Sequence, residues 1–186
     1  MNLYPNVLFV HILSALGLFL GYGLEWTVSA LLRHSSTTDQ ARAWLRVYRV
    51  SPPVTGAALA VLILSGGWLT ALTGGMYHAW LIVSVGGIVV ALLIGFALIL
   101  PRVGAIREAL PEGNLPLTPE ALLQLQSAVL PTLIRVRVLL AAGIVYLMTT
   151  KPPLGASLIV LAASMVLGVL FSITSWSRGS EKSAAA

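Results

Sequence analysis

The sequence predicts an all-α integral membrane protein, a bundle of five transmembrane helices in one domain that covers residues 1–178. The composition favours this class, because the 186 residues are 58% hydrophobic and only 9% charged, with a mean hydropathy of +0.93. Soluble domains carry roughly 25% charged residues. The apolar residues also occur in runs of about twenty, which is the length of a helix that crosses a hydrocarbon core.

Proline and glycine mark the limits of the predicted spans. Ser51-Pro52-Pro53 is expected to supply a cap and first-turn prolines for the second, Gly74-Gly75 to break it, and Pro101 to end the third. Lys151-Pro152-Pro153 is expected to form the turn into the fifth, and Pro131 to kink the fourth. The predicted spans are about residues 4–32, 54–73, 78–100, 122–148 and 154–176, with a disordered tail at 179–186.

The basic residues predict the orientation of the bundle. With five spans, eight lysines and arginines outside the apolar runs share one side, and only Lys151 lies on the other. Cytoplasmic loops carry the excess of such residues, so we expect the N-terminus outside the inner membrane and the C-terminus inside. The net charge of +5 then reflects orientation in the bilayer and not nucleic-acid binding. The eight residues are Arg33, Arg42, Arg46, Arg49, Arg102, Arg107, Arg178 and Lys182.

A short amphipathic helix is predicted after the first span. Helical spacing places its apolar residues on one face and its arginines about a third of a turn away. The segment Ser36-Thr37-Thr38-Asp39 resembles a capping box, which marks the start of a helix. We expect this helix to lie in the inner headgroup region, with docking of a partner protein as the alternative. The apolar residues are Ala41, Trp44, Leu45 and Tyr48.

Polar residues within the spans require an explanation, because an ionisable group in hydrocarbon costs at least ~2.5–3.5 kcal/mol. In the first span they fall within an arc of roughly 80° and should face the protein interior. Gly17 and Gly21, spaced as G-x-x-x-G, should let another helix pack closely against it. The polar residues of the first span are His11, Ser14, Tyr22, Glu25 and Ser29.

Two arginines of the fourth span lie on opposite faces of the helix. Arg135 is the expected interior residue, and Glu25 is the acidic residue well inside a span that could pair with it. Arg137 would then reach a second pocket, snorkel, or meet a partner subunit. The sequence therefore predicts a buried pair between Glu25 and Arg135.

Two histidines lie in the outer halves of different spans. His11 in the first span and His78 at the start of the third could be the axial ligands of a b-type haem. Ser14 and Tyr22 lie on the same face as His11 and could orient one nitrogen of its ring. Neutral imidazoles equally bind copper, and the thioethers of Met76 and Met148 lie on the same side. The chain has no cysteine and no G-x-S-x-G or H-E-x-x-H motif.

The opening helix Phe9-Val10-His11-Ile12-Leu13-Ser14-Ala15, its following glycines and its basic end Arg33-His34 resemble a group of small bacterial membrane proteins. That group includes the copper-resistance-D-like proteins, the membrane protoporphyrinogen oxidase family and uncharacterised predicted integral membrane proteins. The segment Met148-Thr149-Thr150-Lys151-Pro152 is similar to theirs. In the oxidase family the histidine that matches His11 is tied to haem or porphyrin binding. The resemblance therefore implies haem at His11 and leaves a haem-dependent membrane oxidoreductase open.

Three classes of function follow. The first is a haem- or metal-binding membrane protein engaged in electron transfer or cofactor handling. The second is a non-catalytic accessory subunit, whose polar interior and Arg137 serve assembly in a homo-oligomer or a larger membrane complex. The third is a small transporter, although five spans show no obvious inverted repeat.

Overall fold

The computed structural model describes residues 3–74, 78–111 and 116–184, with side chains as far as residue 173. Apart from an isolated β-bridge between Thr37 and Pro116, the regular structure in these ranges is helical. Five helical stretches are long and apolar enough to cross a membrane. The predicted all-α class and the five spans are therefore confirmed.

The chain forms eight α-helices and one π-helical segment in the described ranges. These are α1 (Tyr4–Arg33), α2 (Thr38–Tyr48), α3 (Ser51–Thr73), α4 (Ala79–Leu93), the π-helical segment (Ile94–Ile99), α5 (Leu100–Ala109), α6 (Pro119–Gln126), α7 (Val129–Thr150) and α8 (Leu154–Ala184). The end of the bundle with Tyr4, His78 and Lys151 is called the histidine end below. The opposite end, with Arg33 and Ser51, is called the basic end.

Small residues bring the spans together in two closely packed pairs. α1 packs against α3, and α7 packs against α8. The predicted packing at Gly17 and Gly21 is confirmed, because a Cβ atom on Gly17 would lie 3.4 Å from Ala58 and one on Gly21 would collide with Thr55. In the second pair, a Cβ atom on Gly168 would lie 2.6 Å from the Cα atom of Val136.

Pro101 does not end the third span, contrary to the prediction. The π-helical segment lies directly before it, and the N–H of Leu100 bonds to the carbonyl of Gly95, five residues back. The wider turn of the π-helical segment makes room for the ring of Pro101, which would clash with the backbone of an α-helix. The helix continues through α5 to Ala109, so the third span is longer than predicted.

Pro131 does not kink the fourth span either. In an α-helix its ring would clash with the carbonyl of Ser127, four residues back. The structure instead breaks the helix at that point, where Ser127 has a ψ of 131° and separates α6 from α7. Pro131 therefore lies in the first turn of α7, where a backbone N–H needs no helical partner.

The amphipathic helix α2 begins as predicted but uses its apolar face differently. The side chain of Thr37 caps it by accepting a hydrogen bond from the backbone N–H of Gln40. Ala41, Leu45 and Tyr48 are at most 4% exposed and belong to a core cluster with residues of α1, α5, α6 and α7. This face is therefore buried against the protein's own helices, whereas the prediction placed the helix in the lipid headgroups.

Two further helix limits differ from the prediction. α3 begins at Ser51, before the expected start of the span near Val54, and its prolines lie in the first turn as expected. α8 extends to Ala184, beyond both the predicted end of the span and the start of the predicted tail. The segment after Trp176 contains no proline that would stop the helix. Gly74 and Lys151 end α3 and α7 in the left-handed conformation, as their expected turns require.

Candidate functional site

A buried ion pair joins α1 to α7 inside the bundle. The Nη2 atom of Arg137 donates to the Oε2 atom of Glu25, and the two residues are 7% and 2% exposed. The predicted pairing of Glu25 with Arg135 is therefore wrong. α8 packs against Val136 and contacts Arg135, whereas Arg137 reaches Glu25.

Ser51 supports the carboxylate from the start of α3. Its hydroxyl lies 3.0 Å from the Oε1 atom of Glu25 and 3.0 Å from the carbonyl oxygen of Gly21, and it can donate to either. The serine does not cap α3, contrary to the prediction, because its side chain points to α1. Both carboxylate oxygens of Glu25 therefore have polar partners.

The guanidinium of Arg137 also lies over an aromatic ring. Its Cζ atom is 4.2 Å from the centre of the Tyr22 ring, which is the geometry of a cation–π contact. Its Nη1 atom faces the π-helical segment, where a Cβ atom on Gly95 would lie 2.5 Å away. Among the described residues, the Nε–H of Arg137 is buried and has no hydrogen-bond acceptor.

Arg135 lies close to α8, away from Glu25. Its Nη1 atom is 3.2 Å from the carbonyl oxygen of Phe171 and 3.2 Å from the hydroxyl of Ser172. Its guanidinium carbon is 5.5 Å from the centre of a ring of Trp26 on α1. Arg135 is half-buried, and it contributes to the contact between α7 and α8.

A cavity of about 90 Å³, the ion-pair cavity, adjoins Glu25 and Arg137. Its polar wall includes Tyr22, Tyr48 and Thr55. The remaining wall is apolar and comes from α3 on one side and from α4, the π-helical segment and the start of α5 on the other. These apolar residues are Pro52, Gly56, Leu59, Ala91, Leu92, Gly95, Phe96 and Leu100.

The two histidines singled out by the sequence line one cavity at the histidine end. This histidine cavity has a volume of about 250 Å³ and lies among α1, α3, α4 and the end of α7. Met148 and Lys151 line it as well. The ring of His78 stacks on Trp80, with 6.1 Å between the ring centres. His78 is exposed and His11 is half-buried.

Ser65 of α3 orients the ring of His11. Its hydroxyl lies 2.6 Å from the carbonyl oxygen of Val61 and donates to it. With that donation made, the serine oxygen can accept from the Nδ1–H of His11 at 3.0 Å, in the tautomer that leaves the Nε2 lone pair available. Gly66 gives the ring space, because a Cβ atom there would lie 3.0 Å from the Cε1 atom of His11.

Ser14 and Tyr22 do not have the positions predicted for a cofactor site around His11. The hydroxyl of Ser14 donates to the backbone carbonyl of His11 and not to its ring. Tyr22 contacts Arg137 nearly three helical turns further along α1. Met76 lies outside the described residues, and within those residues no three His, Cys, Asp or Glu side chains form a metal-binding group.

Sequence reasoning missed several residues of these two sites. Ser51, Ser65 and Thr55 are polar residues of α3, but isolated serines and threonines in a span usually bond to their own helix. The four-residue spacing of Gly87, Ala91 and Gly95 predicts a helix-packing face, and Gly87 does contact Ile144 of α7. That spacing did not reveal that Gly95 makes room for an arginine.

Comparison with known proteins places the chain by its family alone. Residues 5–152 match the family model described as "Predicted integral membrane protein (DUF2269)". This match confirms the expected likeness to uncharacterised integral membrane proteins. No curated protein and no solved structure matches the chain.

Proposed function

The chain belongs to the DUF2269 family of predicted integral membrane proteins, and from that premise we propose that it binds a metal cofactor for electron transfer or cofactor handling. His11 is the principal ligand and His78 its companion. The observation that carries this proposal is that these two histidines, on α1 and at the start of α4, line one cavity.

The environment of His11 supports a ligand role. An imidazole in apolar surroundings needs a partner for each ring nitrogen. Ser65 lies within hydrogen-bond distance of Nδ1, and an Nδ1–H bond to it would fix the tautomer and the ring orientation as second-shell partners of metal-bound histidines do. The Nε2 lone pair is then the atom that would bind a metal.

Haem b is one candidate cofactor. Two histidines on different helices are a common axial ligand pair for haem in helical bundles. The ammonium of Lys151, also at this cavity, could pair with a propionate group. The resemblance of the first helix to the protoporphyrinogen oxidase family favours the same cofactor.

Copper is the second candidate, and two observations favour it. The thioether of Met148 lines the cavity together with both histidines, and imidazole with thioether is a ligand set that suits copper. The volume of about 250 Å³ is smaller than the roughly 300–1,000 Å³ of typical small-molecule sites. A single ion fits such a volume more readily than a porphyrin.

The test compares the cofactor content of wild type and three histidine variants. The proteins are expressed with haem precursor and with copper, purified in detergent, and assayed by pyridine haemochrome and by metal analysis. We expect His11→Ala to lose most of the bound cofactor and His78→Ala to lose part of it. His34→Ala is the matched control, because His34 lies at the other end of α1 and bonds to the carbonyl of Ala30.

Each outcome has a consequence for the proposal. Haem in wild type supports the first candidate, and copper without haem supports the second. A His11→Ala protein that keeps all of its cofactor with an unchanged spectrum would show that His11 is not a ligand. A wild-type protein with neither haem nor copper would contradict the proposal and favour an accessory subunit without chemistry of its own.

A further inference from the structure

The ion-pair cavity has a hydrogen-bond donor without an acceptor in its wall, and the charges in that wall already balance. Arg137 neutralises Glu25, and both carboxylate oxygens have partners. Arg137 lines the cavity and is 7% exposed, and among the described residues only its Nη2 atom has a hydrogen-bond acceptor. A buried donor without an acceptor costs about 1–3 kcal/mol. A molecule that bound here would be favoured if it carried an acceptor.

The ligand should be uncharged. A second anion beside Arg137 would leave excess negative charge in a region of low dielectric constant, and such a charge is costly unless it is paired. A carbonyl oxygen accepts a hydrogen bond without adding charge. The chemistry of the polar wall therefore favours a neutral acceptor such as a carbonyl group.

The position of the cavity indicates where such a ligand comes from. The cavity lies between the first turns of α3 and the π-helical segment, within two of the membrane-spanning helices. Gly56 and Phe96, on its two sides, are exposed, and Phe96 is 67% exposed. Because lipid surrounds this part of the bundle, the opening faces the bilayer. Leu59, Leu92 and Leu100 make the rest of the entrance apolar.

We infer that the ion-pair cavity binds the carbonyl end of a membrane-soluble molecule, which enters from the bilayer between α3 and the π-helical segment and accepts a hydrogen bond from Arg137. Two sources supply this chemistry in a membrane: the ring carbonyl of a quinone and the ester carbonyl of a phospholipid. The site lies at the basic end of the bundle and does not depend on the cofactor proposed for the histidine cavity.

A blocking substitution tests the inference without disturbing the ion pair. A Cβ atom on Gly56 meets no atom within 4 Å, so Gly56→Phe places a ring at the entrance without a backbone clash. Gly67→Phe is the matched control, because Gly67 lies on the same helix, is exposed, has open space around its Cβ position and does not line the cavity. Gly56→Leu replaces the first variant if that protein fails to fold.

The proteins are placed in nanodiscs of diether phosphatidylcholine, which lacks ester carbonyls, and titrated with a decyl-benzoquinone. We expect the quinone to raise the Tm of wild type and of Gly67→Phe, because a ligand that binds only the folded state stabilises it. For Gly56→Phe, the concentration that gives half of the shift should rise at least about tenfold.

The second arm exchanges diether for diester lipid with the same chains. If the phospholipid is the ligand, the diester lipid raises the Tm of wild type and of Gly67→Phe but not that of Gly56→Phe. A difference between the two variants in either arm supports the inference and identifies the source of the carbonyl. If neither the quinone nor the diester lipid distinguishes Gly56→Phe from Gly67→Phe, the inference is overturned.

Discussion

Arg137 of α7 forms an ion pair with Glu25 of α1 across a separation of 112 residues in the sequence. The contact lies inside the bundle and joins the pair α1–α3 to the pair α7–α8. Tyr22 and Ser51 complete it, one through its ring and the other through its hydroxyl. This cluster should therefore govern both the stability of the bundle and the properties of the cavity beside it.

Glu25→Gln and Arg137→Gln should each destabilise the protein, because either change leaves a buried charge without its partner. Loss of one member of a buried pair typically costs about 3–5 kcal/mol. The double variant should lose much less than the sum of the two single losses. Unfolding in detergent, followed by circular dichroism, measures the three free energies.

Arg135→Gln serves as the control for that cycle. Arg135 bonds to α8 and not to Glu25, so its effect should add to that of Glu25→Gln within about 0.3–0.5 kcal/mol. Strong coupling between Glu25 and Arg135, with additive effects at Arg137, would contradict the arrangement in the structure.

Gly95→Ala should lower the Tm, although alanine is the better helix former by about 1 kcal/mol. The added Cβ atom would lie 2.5 Å from the Nη1 atom of Arg137, so the guanidinium, which Glu25 and Tyr22 hold in place, must shift. Gly86→Ala is the comparison, because its Cβ position is open and exposed, and there we expect no loss. Equal effects at the two glycines would argue against close packing of Arg137 on the π-helical segment.

Ser51→Ala should reduce the free energy of unfolding by about 1.5–3 kcal/mol, as expected for a hydrogen bond to a charged group. The change removes a partner of Glu25 and leaves the ion pair in place. Ser84→Ala is a matched control, since Ser84 is equally buried but donates to the carbonyl of Trp80 in its own helix. A loss at Ser84 as large as that at Ser51 would contradict a specific role for the carboxylate contact.

The orientation predicted from charge can be tested with reporter fusions. Because eight basic residues outside the apolar runs lie on one side and only Lys151 on the other, the C-terminus should be cytoplasmic. A fluorescent reporter fused after Ala186 should be active, and an alkaline phosphatase at the same position should be inactive. The reverse result would invert the topology of the whole bundle.

Local properties of the chain were sufficient to predict the class and the approximate spans. An apolar run of about twenty residues becomes a membrane helix whatever its neighbours are, because the bilayer leaves the backbone no other partner. The turns at Gly74 and Lys151 follow from local chain features in the same way. The effects of Pro101 and Pro131 required the structure, because a helix can widen, break or bend in response to proline.

The partners of the polar residues depended on the tertiary structure. Helical periodicity shows that Arg135 and Arg137 lie on opposite faces, but it does not show which of them reaches Glu25. That choice depends on the packing of α8 against Val136 at Gly168, which takes up the side with Arg135 and leaves Arg137 to Glu25. The sequence thus determined that a buried charge must be paired, and the packing of the helices decided which arginine pairs with it.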